Sequence, residues 1–136
     1  MKKRIGTGVL AAVFILVMTA ASFASEVVVY SARKDHLIRP LFDAYKKETG
    51  VNVKYVTGKA APLMQRLKSE GKNSPADLLL TVDAGNLWNA ANEELLQPVE
   101  SGVLNKNIPG HLRDSYNRWF GLSVRARTIV YSTDRV

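Results

Sequence analysis

Hydrophobic positions along the chain fall into short blocks that alternate with helically spaced stripes. Glu26-Val27-Val28-Val29-Tyr30 is β-branched and apolar on both faces, the pattern of a buried central strand. The period then lengthens, with Leu37, Leu41, Phe42 and Tyr45 recurring as one helical stripe. Pro40 suits a first turn and costs about 3 kcal/mol in a helix interior. That helix is therefore predicted to start near Leu37 and to stop at Thr49-Gly50, where glycine takes a left-handed cap. Residues 51–56 alternate as a second strand, and Pro62 fits the opening of a second helix whose stripe, Leu63, Met64 and Leu67, ends at Gly71.

Residues 77–82 read as a third strand, again apolar on both faces. A helix follows over roughly 84–95, with Asp83 placed to cap it and Leu87, Trp88, Ala91 and Leu95 as its buried side. Beyond Pro98 the pattern weakens to a helical turn near Val103-Leu104 and a loop through Ile108-Pro109-Gly110. Residues 119–124 and 128–131 are predicted as two more strands, with Trp119 in the core. The order β-α-β-α-β-α followed by β-β implies an α/β fold, a mostly parallel sheet flanked by helices on both faces. Ligands in such sheets collect at the carboxyl ends of the strands. Three junctions lie there: Tyr30-Ser31-Ala32-Arg33, Thr57-Gly58-Lys59 and Thr81-Val82-Asp83-Ala84-Gly85. Each offers small or hydroxyl residues beside helix-opening amides, the makings of an anion site.

The N-terminus reads differently. Met1-Lys2-Lys3-Arg4 is a cationic head, an uncharged stretch follows to about Ala21, and Ser22-Phe23-Ala24 offers small residues for a peptidase. Residues 1–24 are predicted to be a secretory signal peptide, too short in their apolar run to span a bilayer. Cleavage there leaves residues 25–136 and lowers the formal charge from +7 to +4. Much of the basic excess is thus an export signal, and the other cations are interleaved with acids, as in Arg66-Leu67-Lys68-Ser69-Glu70. No basic run interleaved with aromatics remains for nucleic acid. The chain has no cysteine, which excludes disulfides, thiolate metal sites, a cysteine nucleophile and a lipidated N-terminal cysteine. A soluble periplasmic protein is the expected address.

Three blocks carry a resemblance. Val29-Tyr30-Ser31-Ala32-Arg33 with Phe42-Asp43-Ala44-Tyr45 and Glu48-Thr49-Gly50-Val51 forms the first. Glu70-Gly71-Lys72-Asn73-Ser74-Pro75-Ala76-Asp77 with Thr81-Val82-Asp83-Ala84-Gly85-Asn86-Leu87-Trp88 forms the second, and Trp119-Phe120-Gly121-Leu122-Ser123 with Arg125-Ala126-Arg127 the third. Together they resemble the periplasmic ferric-iron-binding proteins, the substrate-binding components of iron ABC transporters. The resemblance implies two α/β lobes with the ion between them, so residues 25–136 are expected to be the first lobe, with the second lobe missing. It implies ferric iron as the transported ligand, bound largely through tyrosine phenolates that lie outside this sequence, with carbonate or a similar anion completing the shell. Hard Fe³⁺ suits anionic oxygen. It further implies a monomer that delivers iron to an inner-membrane permease.

Many members place His-Tyr directly after the Tyr-Ser-x-Arg segment as first-lobe ligands. Lys34 and Asp35 stand there instead. A lysine cation repels Fe³⁺, and Asp35 is the single residue of the segment offered as a metal ligand, with a helix cap the favoured reading. From its position at a strand end Arg33 suits equally a bidentate contact with an anion and a surface salt bridge to Asp35 or another nearby acid, and the resemblance implies the anion. By the resemblance anion binding is also expected of Arg125, on a predicted strand face shared with Arg127. Ser31 and Asp83 complete the rim, with turn and cap duties as alternatives, as they are for Thr81. His36 is expected to be exposed at a helix start, and His111 carries no signal. Most of the tyrosines are expected to pack.

No Ser-His-Asp constellation, GxSxG, Walker A or His-Glu-x-x-His motif is present, so no enzyme is expected. Two other readings stay open from the residues: a binder of another anion or small solute, and a secreted α/β enzyme acting on a phosphorylated substrate through Asp35 or His36.

Overall fold

The computed structural model describes residues 26–126 and 128–135. Its strands β1 (Glu26–Ser31), β2 (Asn52–Thr57) and β3 (Leu78–Leu80) form one parallel sheet in the order β2-β1-β3. Helices α1 (Asp35–Thr49) and α2 (Ala60–Glu70) make the crossovers, followed by α3 (Ala84–Asn92) and α4 (Gly102–Asn107). β1 lies in the middle of the sheet, which explains its double-faced apolar sequence: Val29, Tyr30 and Ser31 are almost completely buried.

Neighbouring residues of a strand point to opposite faces, and the side-chain partners show which helix covers which. Tyr55, level with Val29 across the β1–β2 ladder, donates its hydroxyl to Asp35 of α1 at 2.8 Å and meets Phe42 with ring centroids 5.0 Å apart. Tyr30, on the other face, donates to Glu70 of α2 at 2.9 Å, with the Arg66 guanidinium 4.7 Å above its ring. The helices therefore flank the sheet on both sides, as the alternating pattern implies. Ile38, Leu63 and Met64 fill the two layers, and Ala90 and Ala91 bring α3 close to α2. Gly50 closes α1 at φ 74°, its N–H donating to the Lys46 carbonyl at 2.9 Å.

Several expectations are corrected. α1 begins at Asp35, so Pro40 lies in its interior, one turn deeper than Pro is usually tolerated. α3 ends at Asn92, and Trp88 is 58% exposed because the close-packed side of the helix is made by the two alanines. Leu37, Leu41 and Tyr45 lie on the outer side of α1, and Ile38 takes the core position. Residues 119–124 and 128–131 form no strand among the described residues. A strand needs a ladder partner, and here the single antiparallel bridge joins Arg113 to Phe120 while Ile129 and Val130 are about nine-tenths exposed. Trp119 is partly buried, with its Nε1 fully enclosed. The expected signal peptide and Arg127 lie outside the described residues. Among those described, no helix is long and apolar enough to cross a membrane.

Candidate anion-binding rim

The carboxyl ends of the three strands stand level. Ser31 pairs with Thr57 on one side and with Leu80 on the other. The rung continues past the strands: the Gly58 N–H donates to the Ser31 carbonyl at 3.1 Å, and the Ala32 N–H donates to the Leu80 carbonyl at 2.7 Å. The three predicted junctions are thereby brought side by side, and the residues that follow them open α1, α2 and α3.

Ser31 is fully buried and its Oγ accepts the Arg33 N–H at 3.2 Å. It shapes the turn that presents Arg33, which is partly buried at the strand end. The alternative of an Arg33–Asp35 salt bridge is not what forms. Asp35 gives one carboxylate oxygen to Arg39 at 2.6 Å and the other to Tyr55, and among the described residues no ion pair takes up Arg33. Nor is Asp35 a cap, because Lys34 occupies the N-cap position of α1 and no side chain caps that helix. The hydrogen bond from Tyr55, assisted by Arg39, holds the Asp35 carboxyl below the usual carboxylate range. Both of its oxygens are engaged.

Asp83 caps α3. Its Oδ1 accepts the Asn86 N–H at 2.9 Å, and both oxygens accept from the Asn86 side-chain amide. Thr81 Oγ1 donates to the Asp83 carbonyl at 2.8 Å, tightening the same turn. Arg125 is exposed in irregular backbone rather than on a strand, and no hydrogen bond joins it to Ser31, Arg33 or Asp83. His36 is exposed at the second position of α1, as expected. Among the described residues no group of three or more His, Asp or Glu is gathered to hold a metal.

Two polar clusters escaped the sequence reading. Glu70 accepts from Tyr30, from Ser74 at 2.6 Å and from Arg66 at 2.7 Å. These donors hold the Glu70 carboxyl low, Ser74 foremost, and burial followed by the Glu70 bond pushes the Tyr30 phenol up. Further along, Arg118 grips Asp114 and donates to the Ala91 carbonyl at 3.2 Å, tying residues 114–118 to the end of α3. Glu70 and Arg66 stand at helical i, i+4 spacing, as do Asp114 and Arg118, and this spacing was the signal available.

Residues 32–136 match the family model described as bacterial extracellular solute-binding protein. The chain belongs to that family. It is 44% identical over 111 residues to iron uptake protein A1 of Synechocystis sp., an alignment covering 82% of this chain and 31% of that protein. Apo FutA2 from Synechocystis shares the fold at a TM-score of 0.74 and 42% identity, over 83% of this chain and 34% of that one. A Trichodesmium FutA (IdiA) in complex with iron and citrate ligands aligns at a TM-score of 0.68 and 44% identity, over 71% of this chain and 31% of that one. The chain thus spans about a third of the length of the relatives it matches. The α/β architecture corresponds to one lobe of these proteins, and the family is one of solute binders, not enzymes.

Proposed function

We propose that residues 25–136 are the first lobe of a periplasmic binding protein for ferric iron, and that residues 1–24 are its export signal. The complete protein captures iron together with an anion, carbonate or citrate, and hands it to an inner-membrane ABC permease. In this reading the lobe contributes the anion-facing wall. Arg33 makes the principal contact, Ser31 holds the turn that presents it, Asp83 holds the neighbouring turn that opens α3, and Arg125 contributes from the later segment. Asp35 is not a ligand.

The observation that carries the reading is Arg33, unclaimed by Asp35, standing just beyond three level strand ends. A guanidinium there meets an oxyanion with two parallel hydrogen bonds. The iron-related names of the relatives and the citrate of the Trichodesmium complex agree with it.

Ferric citrate added to the isotope-labelled chain tests it, because the paramagnetic ion broadens nearby amide signals. Broadening is expected at residues 31–34, 57–59 and 81–86 and near Arg125, and it is expected to weaken in Arg33→Ala. Uniform broadening, or none, overturns the reading.

A further inference from the structure

The connection from β1 to α1 is three residues long, Ala32, Arg33 and Lys34, and its two ends are tied to different strands. At its start the Ala32 N–H donates to the Leu80 carbonyl of β3 at 2.7 Å, and the Arg33 N–H donates to Ser31 Oγ at 3.2 Å. At its end Asp35, the first residue of α1, accepts the Tyr55 hydroxyl of β2 at 2.8 Å. The Tyr55 ring packs against Phe42, about two turns further along the same helix. Arg33 stands in the middle of this span, partly buried, and among the described residues no ion pair takes it up.

An acid in the first turn of a helix is stabilising by itself, through the helix dipole. The dipole needs only a negative charge near the helix start, and it does not require that both oxygens be engaged. Here they are, Oδ1 by Tyr55 and Oδ2 by Arg39 at 2.6 Å. Two consequences fall on Arg33. Its connection is fastened to the sheet at the far end as well as the near one. The acid closest to it in sequence is also turned away from its guanidinium, whereas a carboxylate released from Tyr55 would have an oxygen to spare for it.

We infer, building on the anion reading above, that Asp35 and Tyr55 are positioning residues for Arg33. Their hydrogen bond holds the β1–α1 connection against β2 and keeps the Arg33 guanidinium unneutralised for an oxyanion. Groups held in place before the ligand arrives avoid the cost of ordering them on binding, a factor of about three to ten in affinity for one long side chain. A bond that served stability alone would leave the affinity of the folded chain untouched. A positioning bond acts through Arg33 and has no effect on binding once Arg33 is gone.

Citrate is titrated into the isotope-labelled chain at fixed pH and ionic strength, following the amides of residues 31–34. Tyr55→Phe keeps the ring against Phe42 and leaves the net charge unchanged, and the amide spectrum of each variant checks that it is folded. Tyr55→Phe is expected to weaken citrate about three- to tenfold. In an Arg33→Ala background, itself weaker than the parent, the same change is expected to have no further effect. Equal losses in both backgrounds, or no loss in either, overturn the inference and leave the anion reading standing. An Arg33→Ala variant that binds citrate as the parent does overturns both.

Discussion

Arg118 holds Asp114 through two parallel hydrogen bonds, Nε to Oδ2 at 2.7 Å and Nη2 to Oδ1 at 3.0 Å. Asp114 is buried, and its Oδ2 also accepts the backbone N–H groups of Tyr116 and Arg118. One carboxylate therefore organises a whole turn, within which Asn117 sits at φ 56°. Asp114→Ala strands these donors and is expected to lower stability by about 1–3 kcal/mol. Asp114→Asn, which keeps one acceptor, is expected to cost less. Urea unfolding followed by tryptophan fluorescence, with Trp119 beside the turn, measures both.

Acid should unfold the protein through the same groups. Hydrogen bonds from Arg118 hold the Asp114 carboxyl low, and those from Ser74 and Arg66 do the same for Glu70. A carboxyl lowered in the folded state releases its proton more readily there than in the unfolded chain. Its contribution is complete above the unfolded value, about 4, and is lost as pH falls below it. Melting temperature is expected to be flat from pH 7 to about 5 and to drop below about 4. Asp114→Asn is expected to show a shallower drop, and an equally steep one would remove Asp114 from the account.

Tyr30 and Glu70 invite a double-mutant cycle. The buried phenol donates to both Glu70 oxygens, at 2.9 and 3.0 Å. Tyr30→Phe is expected to cost about 1–2 kcal/mol in the parent and much less where Glu70 is already Ala, which leaves no acceptor. Equal costs in both backgrounds would mean that the hydroxyl acts independently of Glu70.

Gly121 admits no side chain without movement. A Cβ built there falls 2.9 Å from the Leu112 backbone carbonyl, which already accepts the Gly121 N–H at 2.7 Å. Gly121→Ala is expected to destabilise by about 1–3 kcal/mol and to break the Arg113–Phe120 bridge. Hydrogen exchange at residues 112–121 reports that loss directly.

Two phenols are expected to stay silent towards iron. Burial and then the bond to Glu70 raise the ionisation of Tyr30 above the ordinary phenol value, and the bond to Asp35 does the same for Tyr55. Ferric citrate added to the chain is expected to give no tyrosinate-to-iron absorption attributable to them. A visible band that vanishes in Tyr55→Phe would place that phenolate on the metal.

Much of this architecture was legible in local sequence. The glycine stops, the Asp83 cap and the β-branched centre of β1 follow from short-range preferences that act wherever those residues occur. Arg33 at a strand end was visible for the same reason. The Tyr30–Glu70 bond was not, because it joins residues 40 positions apart and depends on α2 lying over that face of the sheet. Trp88 misled because its large apolar ring suggested a core position, while the space against α2 suits only the alanines beside it. Residues 128–131 misled because β-branched content expresses a preference for pairing without supplying a partner.

Sequence by itself determined the order of the first three strands and the helices that follow them, the parallel α/β class and the three junctions able to face a ligand. Periodicity, caps and turn chemistry act over a few residues, and that range was enough. Only the tertiary structure decided that Ser31 pairs with both Thr57 and Leu80 and that Asp35 turns to Arg39 and Tyr55. Sheet register and packing set these relationships by juxtaposing distant segments, and no local pattern encodes which distant segment arrives.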